Sequence, residues 1–188
     1  MMDSDDNRTL IDEVMRLRAE VARLQQRIEH LDLLAHHDSL VPLPNRRGFL
    51  RELERMIDRA DRYGDKSAVL FVDVDGLKTL NDSFGHHAGD AALIHVGRLL
   101  ASGVRQSDCV ARFGGDEFAV LLEHADSAEA SETAARLVDL IAGTEFRHDG
   151  SAIPLSAAIG IALIEPGDRA ETVLNRADRA MYEVKAAA

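Results

Sequence analysis

Two adjacent glycines run into two adjacent carboxylates at Gly114-Gly115-Asp116-Glu117, and two further carboxylates, Asp73 and Asp75, close an apolar run. A carboxylate held beside a core is costly unless something compensates it, and a divalent cation is the usual compensator. If the two segments are neighbours, Asp73 and Asp116 with one backbone carbonyl leave octahedral positions open for water and phosphate oxygens. Mg²⁺ is held this way where phosphoryl or nucleotidyl groups are transferred. Gly76 lets the backbone after Asp73 approach a phosphate, at the start of a helix where anions are stabilised. Lys78 is placed to reach the same phosphates. Asn81 and Asp90 flank a helix break; their spacing allows contact with a base edge, but helix capping is the simpler reading. Taken alone, Gly-Gly-Asp-Glu also suits an ordinary solvated turn.

The elements that position these residues follow from periodicity. Residues 68–72 are continuously apolar, so 67–75 reads as a strand buried on both faces. Apolar arms at 109–111 and 118–122 make 108–123 a hairpin, with Gly114-Gly115 at its turn. Asn45 caps a helix over 46–63 with Phe49, Leu50, Leu53, Met56 and Ile57 on one face. Helices follow over 77–84 and 89–102, then over 127–142. The run 153–164 reads as one strand, with Pro154 at an edge, and a last helix spans 169–185. The order α-β-α-α-β-β-α-β-α predicts an α/β (α+β) sandwich around a mostly antiparallel sheet, not a doubly wound parallel one.

Ahead of this domain, Leu10, Val14, Leu17, Val21, Leu24, Ile28, Leu31 and Ala35 alternate spacings of four and three. Val14, Val21, Ile28 and Ala35 take heptad position a, and the four leucines take d. This pattern favours a parallel two-stranded coiled coil over 10–37 and hence a homodimer. Glu13 and Arg27 at g would face Arg18 and Asp32 at e of a second chain. Residues 1–9 read as a disordered polar tail, and 38–188 as the second domain. His36-His37 has no second ligand cluster near it and reads as part of a connector that Pro42 and Pro44 keep out of the helix.

The 33 acidic and 22 basic residues give a net charge of −11, which argues against a general nucleic-acid or membrane-surface binder. The single Cys109 excludes an internal disulfide framework and a cysteine zinc site. No apolar run approaches the ~20 residues that span a bilayer, and no signal-peptide pattern opens the chain. The expectation is a cytoplasmic protein.

Five separated blocks resemble one family, the GGDEF domain of diguanylate cyclases. They are Asp38 to Arg47; Phe71 to Lys78 with Asn81-Asp82-Ser83-Phe84-Gly85-His86 and Gly89-Asp90; Arg112 to Phe118; Ser156 to Gly160; and Ala177 to Lys185. The chain departs from the family's usual pattern in Val41-Pro42, where Thr-Gly is common, and in Gly76-Leu77, where a bulkier pair is common.

The resemblance implies condensation of two GTP into cyclic di-GMP and two pyrophosphates. It implies Mg²⁺, or Mn²⁺, bound by Asp73, Asp116 and the carbonyl of Val74. Glu117 would be a further ligand or would help deprotonate the attacking 3′-hydroxyl. Asn81 and Asp90 would bind guanine, which reverses the capping preference. Lys78 and Lys185 would hold phosphates, with backbone N–H groups near Gly76 and Leu77. One domain binds one GTP, so two must face each other, and the coiled coil would bring them together. Arg105-Gln106-Ser107-Asp108 matches the family's inhibitory site for the product, with Arg136 and Arg59 as further candidates. The alternative is an inactive cyclic di-GMP receptor.

Overall fold

The computed structural model describes residues 3–187. The chain divides into two units, the first ending at Ala35 and the second beginning at His36. The first is a single helix, α1 (Asp3–His36). It starts well before Leu10, so residues 3–9, expected as a disordered tail, are helical; no glycine or proline stands there to stop the helix. Leu10, Val14, Leu17, Val21, Leu24, Ile28 and Leu31 are each 40–66% exposed along it, an exposed apolar stripe among the described residues. Glu13 is bonded along the helix to Arg16, at 2.8 Å. Among the described residues no helix is long and apolar enough to cross a membrane.

The second unit contains α2 (Arg46–Tyr63), β1 (Ser67–Val74), α3 (Leu77–Phe84), α4 (His86–Ser102), β2 (Cys109–Gly114), β3 (Glu117–Glu123) and α5 (Ser127–Gly143). After these come β4 (Phe146–His148), β5 (Ser151–Ile153), β6 (Ala157–Leu163) and α6 (Ala170–Ala187). Caps set the helix starts. The Asn45 side chain accepts from the N–H groups of Arg47 and Gly48. Asp126 and Glu129 form a reciprocal capping box at α5.

The expected strand over 153–164 is two strands. Pro154 has no N–H to donate, and β5 ends before it. β5 pairs with β4 in a separate hairpin. Its turn is Asp149-Gly150, both at positive φ, a two-residue hairpin signal present in the sequence.

The main sheet has the order β2-β3-β1-β6, and its pairings are antiparallel. Both faces are covered, which explains the unbroken apolar runs. Leu70, Val72, Phe118 and Val120 pack with Val96 and Leu100 of α4 and Leu137 and Ile141 of α5. Val69, Phe71, Ala119 and Leu121 pack with Phe49 and Leu53 of α2 and Val173 and Ala177 of α6. Val41 is buried with the α4–α5 side.

Gly160 sets how closely α6 lies on β6. A Cβ there would stand 2.1 Å from the Met181 nitrogen and 2.2 Å from the Ala177 oxygen. Any larger residue would lift the helix, and with it Lys185 near the helix end.

Candidate active site

The sheet register brings the expected carboxylates together. Asp73 of β1 lies directly opposite Glu117 of β3. Side chains alternate along a strand, so Asp73 shares the α2–α6 face with Val69 and Phe71, and Glu117 shares it with Ala119 and Leu121. Asp116 is in the turn between β2 and β3, where Gly114 and Gly115 take φ of 141° and 53°. The Val74 N–H donates to the Asp116 carbonyl at 3.0 Å, tying the turn to the end of β1. Asp75 is held on the other side, accepting from the Ser156 hydroxyl at 2.8 Å.

Two residues outside the glycine-carboxylate segment brace that turn. Arg112 donates to the Gly115 carbonyl from Nη2 at 2.8 Å and reaches Asp38 Oδ1 at 3.2 Å from Nη1. Asp38 also accepts the Leu40 and Val41 N–H groups at 2.9 and 3.0 Å. Burial works against its charge, but these two N–H groups and Arg112 hold the Asp38 carboxyl below its ordinary range. Phe113 is wedged edge-on between Phe49 and Phe71, and the Arg46 guanidinium lies over its ring at 5.8 Å.

The electrostatics are those of crowded anions. Burial, followed by the charges of Asp73 and Asp116, pushes Glu117 above the usual carboxylate range; Asp178 adds to this and Arg46 opposes it. Burial likewise raises Asp73, with Asp116 and Asp75 adding to it against the pull of Lys185. The Lys185 ammonium is bonded to Asp73 and lies 3.8 Å from Asp75. Burial lowers its pKa, yet Asp73, Asp75 and Asp116 together raise it above the ordinary lysine value. Arg46 and Asp178 belong to this neighbourhood, although their spacing in the chain did not mark them. Arg46 directly follows the Asn45 cap, and Asp178 sits on α6, two turns before Lys185; these were the available signals.

A second group adjoins the first. α3 begins after Gly76 with no side-chain cap, and an uncapped helix start suits an anion. Lys78 is exposed in its first turn. Asn81 packs directly over α4: a Cβ on Gly89 would lie 2.0 Å from Asn81 Oδ1. That oxygen is buried without a hydrogen-bond partner among the described residues. A buried acceptor with no partner in the protein is open to a donor from water or from a ligand. Asp90 follows Gly89 and is exposed. Asn81 therefore does not cap a helix; Gly85 occupies that place at both α3 and α4.

Residues 35–188 match the family model described as diguanylate cyclase, GGDEF domain. The chain belongs to the GGDEF family. It is 42% identical over 183 residues to the diguanylate cyclase TpbB of Pseudomonas aeruginosa, covering 96% of this chain and 41% of TpbB. It is 36% identical over 166 residues to the response regulator PleD of Caulobacter vibrioides, covering 87% of this chain and 37% of PleD. The chain thus spans less than half the length of these curated relatives. Among solved structures, it resembles the coiled coil and GGDEF domain of DgcB from Caulobacter crescentus in complex with c-di-GMP. That match has a TM-score of 0.89 at 26% identity and covers 95% of each chain. The GGDEF domain of TpbB matches with a TM-score of 0.75 at 41% identity, covering 81% of this chain and 90% of that one.

The residues of this GGDEF domain fit a hard divalent cation by donor chemistry. Asp73, Asp116, Glu117 and the Val74 carbonyl offer oxygen only, and the mutual repulsion of the carboxylates is what such a cation offsets. Their side chains are not already gathered as ligands: among the described residues no group of three or more His, Cys, Asp or Glu stands in metal-binding array.

The remaining expected residues lie towards the opposite end of β3. Arg105, Asp108 and Arg136 line one small pocket of about 50 Å³, with Glu123, Glu129 and Thr133. Asp108 holds its frame, accepting the N–H groups of Arg105 at 2.9 Å and Glu123 at 3.1 Å. Arg136 donates to the Gly103 carbonyl. Arg59 does not line this pocket. It lines the neighbouring one with Glu52, Cys109 and Glu123, and its guanidinium is paired with Asp65 at 2.9 Å and Glu123 at 2.7 Å. Cys109, beside Arg59, is a packing residue whose thiol is pushed up to about 11 by burial and by Glu52.

A larger cavity of about 520 Å³ opens between Gly64–Ser67, Ala125–Ala128 and Leu163–Pro166. It lies at the other end of β1 from Asp73 and contains none of the expected site residues.

Proposed function

We propose that this chain is a diguanylate cyclase that joins two GTP into cyclic di-GMP with release of two pyrophosphates. The observation that carries the reading is Asp73 facing Glu117 across one register pair, with Asp116 in the β2–β3 turn just before Glu117 and the Lys185 ammonium bonded to Asp73. In each of two equivalent steps the 3′-oxygen of one GTP attacks the α-phosphorus of the other. The new O3′–P bond forms, the bond from that phosphorus to the pyrophosphate oxygen breaks, and the hydroxyl proton passes to Glu117 or, where Glu117 is a metal ligand, to water.

Asp73, Asp116 and the Val74 carbonyl, with Glu117 as a further ligand where it is not the base, would hold Mg²⁺, or Mn²⁺, which would supply positive charge to the phosphate oxygens. Lys78, Lys185 and the N–H groups at Gly76 and Leu77 bind the β- and γ-phosphates. Asn81 and Asp90 take the guanine edge, with the orphan Asn81 oxygen accepting from the base.

Each domain carries one GTP, so two chains must meet. The exposed heptad stripe of α1 supports a parallel coiled coil between two copies, as does the likeness to a GGDEF structure that includes a coiled coil. Leu17→Asp with Leu24→Asp should give a monomer by sedimentation, with turnover reduced most at low protein concentration. We further read Arg105, Asp108 and Arg136 as a site for the product, which inhibits the enzyme. One assay tests the whole reading: GTP with Mg²⁺ should give cyclic di-GMP, and added cyclic di-GMP should slow it. Absence of product at micromolar enzyme refutes the catalytic assignment, and Arg105→Ala with undiminished inhibition refutes the product site.

A further inference from the structure

We propose that Arg46 of one chain offsets the charge that builds on the α-phosphate of the GTP held by the other, as a cation supplied across the dimer. The inference rests on the cyclase reading and on two chains meeting. Phe113 packs edge-on against Phe71, with ring centroids 5.3 Å apart. Phe71 lies two residues before Asp73 on β1, so Phe113 is on the face that carries Asp73 and Glu117. The Arg46 guanidinium lies 5.8 Å from the centre of the Phe113 ring, and its charge acts on Glu117. An aromatic ring orients a guanidinium without cancelling its charge.

The backbone at Arg46 is tied to the hairpin. Its neighbour Asn45 forms a bridge with Arg112, and the Arg112 N–H donates to the Pro44 carbonyl at 2.9 Å. Two other cations at this end of the sheet are committed, Lys185 to Asp73 and Arg112 to Asp38. Arg46 is exposed and has no ion pair among the described residues.

Strand order decides which nucleotide Arg46 serves. In the order β2-β3-β1-β6, Asp73 is on β1, Glu117 on β3 and Phe113 on β2, an edge strand. On our reading the chain's own triphosphate lies at the end of β1, on Gly76, Leu77, Lys78 and Lys185. Arg46 stands beyond Glu117, on the side away from them. The attacking 3′-oxygen comes from the second GTP, which brings its own α-phosphate on the same ribose. A guanidinium beside Glu117 offers that phosphate paired N–H donors. When that phosphate is attacked in its turn, negative charge gathers on its oxygens and Arg46 offsets it. Arg46 moves no proton, and the bonds made and broken are those given above.

Arg46→Ala should lower the rate of cyclic di-GMP formation about a hundredfold. Thermal melting confirms that the variant is folded, and Arg46→Gln is the substitute if it is not. Mixed dimers decide the placement. Chains with Arg46→Ala and chains with Asp116→Asn carry different tags and are co-expressed and purified through both. The Arg46→Ala chain then keeps its own Asp116 and receives Arg46 from the other chain, so one O3′–P bond can form. This dimer should yield the linear dinucleotide and pyrophosphate about tenfold faster than dimers of either variant alone. A dimer of one unaltered chain and one chain with both substitutions should stay slow. The reverse pattern, or no gain in the first dimer, overturns the inference. Turnover by folded Arg46→Ala dimers within about twofold of the unaltered protein also overturns it. If the unaltered chain makes no cyclic di-GMP, the cyclase reading fails instead; if no doubly tagged dimer is recovered, the coiled-coil reading fails and the inference with it.

Discussion

The Lys185 ammonium is bonded to the Asp73 carboxylate, linking the end of the last helix to the end of the first strand over 112 residues of chain. Lys185 thus stands at the carboxylates that would hold the metal and, on our reading, at the phosphates of GTP. Replacing it with alanine should raise the KM for GTP about tenfold or more, the loss of one charge-assisted contact to phosphate. The effect on kcat should be smaller. Initial rates of pyrophosphate release across GTP concentrations separate the two.

Glu117 shows the opposition between stability and activity. Its folded pKa lies above the unfolded value, so the folded chain binds the extra proton more tightly. Stability therefore falls as pH rises from the unfolded pKa through the folded one, and the ionised side chain is a burden at neutral pH. Glu117→Gln should abolish cyclic di-GMP formation yet melt at a higher temperature than the unaltered chain in metal-free buffer at pH 7. Adding Mg²⁺ should narrow that gap by stabilising the chain that keeps the carboxylate more than the variant. Calorimetric melting with and without Mg²⁺ checks both statements.

Gly89 leaves room for Asn81 and nothing else. A methyl group there meets the Asn81 amide at 2.0 Å, the movable end of a side chain, so the fold should survive while the amide is displaced. Gly89→Ala should reproduce the defect of Asn81→Ala, with GTP bound about tenfold more weakly and discrimination against ATP reduced. Competition binding with the two nucleotides reads this directly.

Asp38 should stabilise the fold in a pH-dependent way. Its folded pKa is held below the unfolded value, so its contribution is present above the ordinary carboxylate range and is lost as pH falls through the folded pKa. Asp38→Ala removes two N–H contacts and the Arg112 ion pair, which should cost about 2 kcal/mol at pH 7. The difference between variant and unaltered chain should shrink progressively below about pH 4. Urea unfolding at several pH values gives the comparison. Because Arg112 also holds the Gly115 carbonyl, turnover should fall as well.

Much of the fold was legible because helix and strand periods are local properties. The apolar run 68–72, the hairpin around Gly114-Gly115 and the cap at Asn45 each appear where expected. The break at Pro154 and the Asp149-Gly150 hairpin were missed, although both signals lie in the chain; a long apolar run across 153–164 outweighed them. Arg59 shows a different limit. Its type and helix suited a place in the product pocket, but which carboxylate an arginine pairs with depends on packing between strands and helices far apart in sequence.

The sequence by itself determined the site's chemistry: which residues carry oxygen donors, which carry positive charge, and which glycines precede them. Residue type and local spacing suffice for that. Only the tertiary structure decided that Asp73 faces Glu117 and not one of its neighbours, since a shift of one residue in register would turn Glu117 to the other face of the sheet. It also decided that α6 lies close enough over Gly160 to bring Lys185 to Asp73, and that Arg59 pairs with Asp65 and Glu123 outside the pocket of Arg105. These are distances between segments remote in the chain, set by core packing and strand register.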